Sequence, residues 1–154
     1  MKIRILAVGR KAAAWVSEAE KDYLKRLSHF ADMSCDLVAP EDEHSLGDTA
    51  CVERESAKLL AKCRPDDCVI ACDRRGASYN SQQLADKLRN VQDRGAKICF
   101  VIGGSHGLSA AVLQRANFAI SFSLLTFPHE LFRVMLLEQI YRCCTIIAGK
   151  KYHK

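Results

Sequence analysis

The sequence lacks any apolar run that approaches the roughly 20 residues a membrane-spanning helix needs. Its first residues, MKIRILAVG, alternate apolar with charged side chains, so they do not form a secretory signal peptide. The chain also lacks internal repeats, linkers and low-complexity segments. We therefore expect a cytoplasmic protein whose residues 1–154 form one domain, long enough for a substantial hydrophobic core.

The eight cysteines include no C-x-x-C pair, which is the spacing typical of zinc sites and of redox-active disulfides. A disulfide framework would also be out of place in a cytoplasmic chain of this size. Free cysteine behaves as a small, commonly buried hydrophobe. We therefore expect buried, reduced thiols and no metal site.

The common nucleotide-binding signatures are missing as well. The first predicted strand is followed by the single glycine Gly9, and the later sequence GGSHG, residues 103–107, places its third glycine wrongly for G-x-G-x-x-G. A P-loop is excluded because the Lys-Ser/Thr pair is absent. A glycine pair directly after a strand still lets a ligand approach the backbone. The spacing leaves a ligand-binding loop and a tight structural turn equally open.

Strands and helices alternate along the chain, and the last three strands are apolar on both faces. This pattern predicts an α/β fold with a mainly parallel sheet flanked by helices. A capping box at Asn80 and Gln83 begins one helix, and the acidic segment 40–47 is predicted as a surface loop. The predicted strands are 2–8, 33–38, 68–72, 98–102 and 118–123, and the predicted helices are 12–27, 49–63, 81–94, 109–115 and 129–147.

Ligands of such sheets bind beyond the carboxyl ends of the strands. Three loops follow strands that the pattern places centrally, namely 73–78, 103–108 and 124–128. We therefore expect these loops to converge on one crevice.

The helix predicted over 129–147 is apolar over most of its circumference. Its polar residues do not gather on one stripe; they are Glu130, Arg133, Glu138, Gln139 and Arg142. A helix that is apolar nearly all round must be buried nearly all round, and a chain of this length encloses little interior. A second protomer is the natural cover, so we expect a homodimer.

Three segments carry a resemblance to a known family: VIGGSHGLS (101–109), FSLLTFPHELFRVMLLEQIYR (122–142) and the terminal YHK (152–154). Together they resemble the bacterial ribosomal RNA large-subunit methyltransferase H family, the pseudouridine N3-methyltransferases of the SPOUT superfamily. The resemblance extends over the whole chain. It implies a SPOUT-type fold with a deep trefoil knot at the carboxyl end, a homodimer, and S-adenosylmethionine bound in the knot. Such knots are exceptions to the rule that connections do not thread loops.

The resemblance also implies a set of cofactor-binding residues, in which the adenine lies against apolar side chains and bonds to backbone groups. These residues are Cys72, Gly103, Phe122, Ser123, Leu124, Leu125, Thr126 and Phe127.

The implied reaction is methyl transfer to N3 of a pseudouridine in helix 69 of 23S ribosomal RNA, on the assembled ribosome. A ring imide nitrogen is a poor nucleophile until its proton leaves, so a base or a charge-stabilising group should stand near it. The candidate catalytic residues are His129, Arg142, Tyr152 and His153, with Arg133 as a further candidate.

Each candidate has a simpler explanation. His129 fits a helix cap, Arg133 and Arg142 have Glu130 and Glu138 at ion-pairing distance along the helix, and the terminal residues fit a frayed tail. We favour a functional tail, because KKYHK combines cations with an aromatic ring and an imidazole, a mixture suited to RNA. The hypothesis is that the tail of one protomer closes over the cofactor of the other.

The net charge of +5 permits a nucleic-acid partner without requiring one. With no separate RNA-binding domain, we expect weak, salt-sensitive binding to naked RNA and dependence on a preassembled ribosomal surface. Three other functions stay open: a SPOUT methyltransferase for another ribosomal or transfer RNA nucleotide, a non-catalytic ribosome-binding module, and a nucleotide-binding oxidoreductase. The missing dinucleotide fingerprint argues against the last.

Overall fold

A computed structural model describes residues 1–152 of the chain. Strands and helices alternate along it almost throughout. In chain order they are β1 (Lys2–Val8), α1 (Ala14–Leu27), β2 (Asp32–Val38), α2 (Glu43–Leu46), α3 (Asp48–Lys62), β3 (Asp67–Ser78), α4 (Ser81–Asp93), β4 (Lys97–Ile102), α5 (Ala110–Arg115), β5 (Phe118–Ser121) and α6 (His129–Ile147).

The strands form a five-stranded sheet in the order β2-β1-β4-β3-β5. Every neighbouring pair in this order is parallel, which confirms the predicted parallel sheet. One detail of the prediction is wrong: β5 lies at the edge of the sheet, not in its centre. Its last two residues, Ile120 and Ser121, are nevertheless buried.

Side chains alternate between the two faces of the sheet, as the period of a strand requires. In β4, Phe100 packs into the core beneath α1, α4 and α6. The intervening residues Cys99 and Val101 pack into a second core with Leu59 of α3 and Val112 of α5. Both faces are therefore covered by helices, and the apolar strands 98–102 and 68–72 are buried on both sides.

Several helix boundaries follow directly from local chemistry. The capping box is confirmed: the Gln83 backbone N–H donates to Asn80 Oδ1 at 2.8 Å, and the Asn80 N–H donates to Gln83 Oε1 at 2.9 Å. The predicted range of α6, residues 129–147, is also confirmed. The segment 40–47 is not entirely a loop, since Asp42 caps the short helix α2 by accepting a hydrogen bond from the His44 N–H at 3.1 Å.

The prediction that 73–78 is a loop needs a correction, because β3 continues to Ser78. Its pairing with β5 is irregular there: both Cys72 and Ala77 lie opposite Ile120, so the residues between them bulge from the ladder. Gly76 allows this close approach, since a Cβ on it would lie 2.6 Å from backbone atoms of Ile120. The bulge carries its side chains to the carboxyl edge of the sheet.

Helix α6 packs against α1 and α4 within the same chain. One face is buried and includes Leu136, Ile140 and Cys143. Leu131 and Met135 on other parts of the helix are only half-buried. The protomer therefore covers part of the apolar circumference and leaves the rest partly open.

Among residues 1–152 no helix has the length and apolarity needed to cross a membrane. All eight cysteines are unpaired thiols. Four of them are buried, three are half-buried, and Cys35 is exposed, so the expectation of buried thiols is wrong for Cys35.

Replacing Asn117 with Ala should destabilise the fold. The backbone N–H of the fully buried Val69 donates to Asn117 Oδ1 at 2.8 Å, and the Asn117 N–H donates to the Val69 carbonyl at 2.8 Å. Losing the side-chain acceptor leaves a buried N–H unpaired, and we expect a loss of about 1–3 kcal/mol in the free energy of unfolding.

Urea titration of the variant and of an Asn90→Ala control measures this effect. Asn90 is exposed on α4, where alanine is the better helix former. Equal midpoints for Asn117→Ala and the unaltered chain would contradict the assignment.

Candidate functional site

A pocket of about 920 Å³ opens at the carboxyl ends of β3, β4 and β5. Its volume lies in the usual range for small-molecule sites. The three predicted loop regions all contribute to its walls, which confirms that they converge. The lining residues are Cys72 to Arg75, Ile102 to Leu108, Ile120 to Ser123, Leu125 to His129, and Phe132.

The glycine segment after β4 is a tight turn that also lines the pocket. The Gly107 N–H donates to the Gly104 carbonyl at 3.0 Å, and Gly107 has a φ of +87°. A Cβ on Gly103 would collide with the backbone of Gly107. The two alternatives left open by the sequence are thus compatible: packing requires the glycines, and the turn they form presents its backbone to the pocket.

The α3 helix supports this turn from behind. A Cβ on Gly104 would lie 2.5 Å from a carboxylate oxygen of Glu55, which is 6% exposed. Glu55 in turn accepts a hydrogen bond from the Glu41 N–H at 2.9 Å. The Ser109 N–H, just past the turn, donates to Ser56 Oγ at 3.0 Å. The position of the turn therefore depends on α3.

The bulge of β3 brings charged side chains to the pocket. Asp73 accepts hydrogen bonds from the Arg75 backbone N–H at 2.9 Å and from Arg75 Nε at 3.0 Å. This guanidinium lowers the pKa of Asp73 below its ordinary value, so the carboxylate is ionised at neutral pH. In contrast, burial raises the pKa of the Cys72 thiol, which stays neutral. Arg74 and Arg75 are exposed at the rim.

The beginning of α6 forms another wall. His129 is the first residue of the helix, is half-buried and lines the pocket. It is not the helix cap, because Pro128 occupies that position. One turn later, Phe132 packs against Phe122 with ring centroids 4.9 Å apart and ring planes tilted by 46°. The two rings form an apolar surface beside the glycine turn.

The segment 122–127 connects β5 to α6 and bends around its serines. Ser121 Oγ donates to the Ser123 carbonyl at 3.1 Å, and the Leu125 N–H donates to Ser123 Oγ at 2.9 Å. Seven of the eight predicted cofactor residues line the pocket. The exception is Leu124, which is 89% exposed and does not line the pocket.

Arg142 and Tyr152 lie together but outside this pocket. Arg142 Nη2 donates to Glu138 Oε1 at 2.5 Å, and the Tyr152 hydroxyl donates to the same oxygen at 3.3 Å. The Arg142 guanidinium also covers the Tyr152 ring at 4.9 Å. Arg142 is about 20 Å from His129 along the helix axis. His153 lies outside the described residues.

Of the two helical ion pairs considered, the one between Arg142 and Glu138 is confirmed. The pairing of Arg133 with Glu130 is wrong. Arg133 is only 2% exposed, and its Nε donates to Glu20 of α1 at 2.7 Å. Within the described part of the chain its Nη1 has no hydrogen-bond partner. Arg133 therefore connects α6 to α1 and does not line the pocket.

The residue-by-residue interpretation missed several pocket residues, including Ile120, Phe132 and Asp73. Ile120 and Phe132 belong to apolar runs that equally indicate ordinary core packing. Asp73 was within a predicted pocket loop, and its place directly after an apolar strand is the signal that could have identified it.

Solved structures show the same architecture. A probable methylase family protein from Haemophilus influenzae Rd KW20 aligns with 99% of this chain and 70% of that chain, at a TM-score of 0.58 and 18% identity. A putative methylase family protein from Neisseria gonorrhoeae aligns with 90% of this chain and 81% of that one, at a TM-score of 0.51 and 16% identity. At these identities the likeness concerns the fold alone.

The similarity in sequence to other proteins is much higher than the similarity to these solved structures. Proteins named ribosomal RNA large subunit methyltransferase H are similar over the full length of both chains: 43% identical in Clostridium botulinum (strain Kyoto / Type A2), 42% in Carboxydothermus hydrogenoformans and 40% in Bacillus pumilus. A family model described as "Predicted SPOUT methyltransferase" matches residues 1–153. Its parallel sheet and the pocket at the carboxyl ends of β3, β4 and β5 agree with this match. The chain therefore belongs to the SPOUT methyltransferase family.

Proposed function

We propose that this protein methylates N3 of a pseudouridine in helix 69 of 23S ribosomal RNA, using S-adenosylmethionine, in the cytoplasm and on the assembled ribosome. The observation that carries the proposal is the pocket of about 920 Å³ around the glycine turn, in a chain about 40% identical to full-length ribosomal RNA large subunit methyltransferases H. The working unit is a homodimer of single-domain protomers, each with a trefoil knot at its carboxyl end.

The pocket residues fit S-adenosylmethionine. Apolar side chains of Ile102, Ile120 and Phe122 offer a surface for the adenine, and the turn at Gly103 and the segment 122–127 offer backbone donors and acceptors. The ionised Asp73 at the pocket wall suits the cationic part of the molecule. When bound, S-adenosylmethionine supplies an electrophilic methyl group on a sulfonium sulfur.

The chain then has to orient the nucleobase and receive a proton. The N3 proton moves to a base while the nitrogen takes the methyl group, so that the reaction releases one proton and S-adenosylhomocysteine. His129 is the titratable side chain of α6 that lines the pocket, and we assign it this role or a hydrogen bond to the ring. Holding sulfur, methyl and nitrogen in line supplies much of the remaining rate.

The separation of Arg142 and Tyr152 from the pocket supports a composite site. About 20 Å of helix lies between Arg142 and His129, and Tyr152, which packs on Arg142, does not line the pocket of its own chain. The half-buried side chains of Leu131 and Met135 offer an apolar surface for a second copy of the helix. We therefore assign Arg142, Tyr152 and His153 to the cofactor pocket of the partner protomer.

Cations at the pocket rim support an RNA substrate. Arg74 and Arg75 are exposed beside the opening, where they suit backbone phosphates. The total charge of +5 is small for a protein that binds RNA unaided. Shape recognition of the assembled ribosome would supply the rest of the affinity.

Mass mapping of 23S RNA from cells lacking the protein tests the proposed function. We expect loss of one methyl group from a helix 69 pseudouridine, restored by the purified protein acting on assembled ribosomes and not on naked RNA. Loss of a methyl group from another ribosomal or transfer RNA nucleotide would replace the substrate, and unchanged RNA would favour a non-catalytic role.

Substituting Ala for Gly103 should weaken S-adenosylmethionine binding at least tenfold, because the added Cβ collides with the Gly107 backbone and distorts the turn. Calorimetric titration with S-adenosylmethionine measures the change. Gly95→Ala is the control, since Gly95 has open space around its Cβ position and does not line the pocket. Equal affinities for the two variants would contradict the role of the turn.

Deleting residues 152–154 should abolish methylation and leave S-adenosylmethionine affinity nearly unchanged, because Tyr152 does not line the pocket of its own protomer. Methyl incorporation into ribosomes and calorimetry measure the two quantities, and size-exclusion chromatography checks that the variant remains a dimer. Full activity of the truncated chain would disprove the functional tail.

A further inference from the structure

The chain reverses its direction where α6 ends. Gly149 has a φ of +65°, and its N–H donates to the Ile146 carbonyl at 3.0 Å. The Lys150 N–H donates to the Thr145 carbonyl at 2.8 Å. These two hydrogen bonds form a Schellman motif, in which a glycine with positive φ closes the last turn of a helix. The motif directs residues 150–152, which we call the tail root, back beside α6.

Aromatic rings of α1 and α6 hold the tail root in place. The Tyr152 ring packs edge-on against Tyr141 of α6, with centroids 4.8 Å apart. Tyr141 also packs against Tyr23 of α1 at 6.4 Å and against Phe30 at 5.8 Å. Lys150 Nζ lies 5.2 Å from the centre of the Phe30 ring. Such contacts stabilise beyond the area that they bury, so the tail root is packed onto its own protomer.

Glu138 is the polar centre of this cluster. Its Oε1 accepts hydrogen bonds from Arg142 Nη2 at 2.5 Å and from the Tyr152 hydroxyl at 3.3 Å, and its Oε2 accepts from Gln139 Nε2 at 2.5 Å. The Glu138 side chain is only 18% exposed. Hydrogen bonds to an ionised, partly buried carboxylate are stronger than those between neutral groups. One carboxylate therefore fixes both the guanidinium of Arg142 and the hydroxyl of Tyr152.

We propose that Glu138 is a positioning residue for methyl transfer, which holds Arg142 and Tyr152 in the geometry they need in the partner protomer's pocket. This inference rests on the proposed function, which assigns these two groups to that pocket. Glu138 lies outside the pocket of its own chain, and it acts through the two groups that it binds. A tail root that is ordered beforehand loses less conformational freedom when the RNA arrives.

Limited trypsin digestion of the full-length protein tests the anchoring without any RNA. Cleavage after Lys150 or Lys151 removes the end of the chain, and the intact mass records the loss. Because trypsin cuts a segment only when it opens locally, Glu138→Ala should lose the tail at least about fivefold faster than the unaltered chain. Tyr152→Phe removes the hydroxyl and keeps the ring, so its acceleration should be smaller.

A double variant shows whether Glu138 and Tyr152 act together. Glu138→Ala combined with Tyr152→Phe should lose the tail no faster than Glu138→Ala alone, because both changes break the same hydrogen bond. The control is Glu18→Ala, which removes an exposed carboxylate from α1 and should leave the cleavage rate unchanged. Equal tail removal in Glu138→Ala and the unaltered chain, or fully additive effects in the double variant, would overturn the anchoring.

Methylation kinetics on ribosomes test the positioning role. Glu138→Ala should lower kcat about tenfold or more, because the two groups lose their fixed geometry, and should leave the KM for S-adenosylmethionine nearly unchanged. Glu138→Gln keeps an oxygen acceptor without the charge, so it should restore part of both kcat and resistance to trypsin. A freed tail with an unchanged kcat would refute the positioning role. A wrong choice of RNA substrate would leave the digestion results as they are.

Discussion

The close approach of two backbone segments, at Gly103 and Gly107, is the constraint on which the pocket depends. At Gly103 no space exists for a side chain, because the backbone of Gly107 occupies the position of a Cβ. The turn returns so sharply that its backbone faces the ends of β3 and β5 instead of continuing outward. A bulkier residue would open the turn and remove one wall of the pocket.

Long-range packing holds that turn in place. Glu55 of α3 is buried behind Gly104, and Ser56 on the same helix accepts a hydrogen bond from Ser109 after the turn. The middle of α3 therefore fixes the position of the glycine turn.

The two ends of α6 have different roles. Its first turn contributes His129 and Phe132 to the pocket, whereas its last turns hold Arg142 against Glu138 and Tyr152. A rigid helix keeps these groups far apart in one protomer. In a dimer the same rigid helix would hold Arg142 and Tyr152 at a constant distance from the partner's pocket. This fixed distance is the physical argument for a composite site.

Local chemistry in the sequence was sufficient to predict the parallel sheet, the capping box at Asn80, the limits of α6 and the convergence of three loops, because these depend on periodicity, caps and strand ends. The bulge in β3, the edge position of β5 and the pairing of Arg133 with Glu20 were decided only by the tertiary structure. Each of them joins residues far apart in the chain, and their energies depend on which surfaces meet after folding. The local sequence pattern does not show which surfaces will meet.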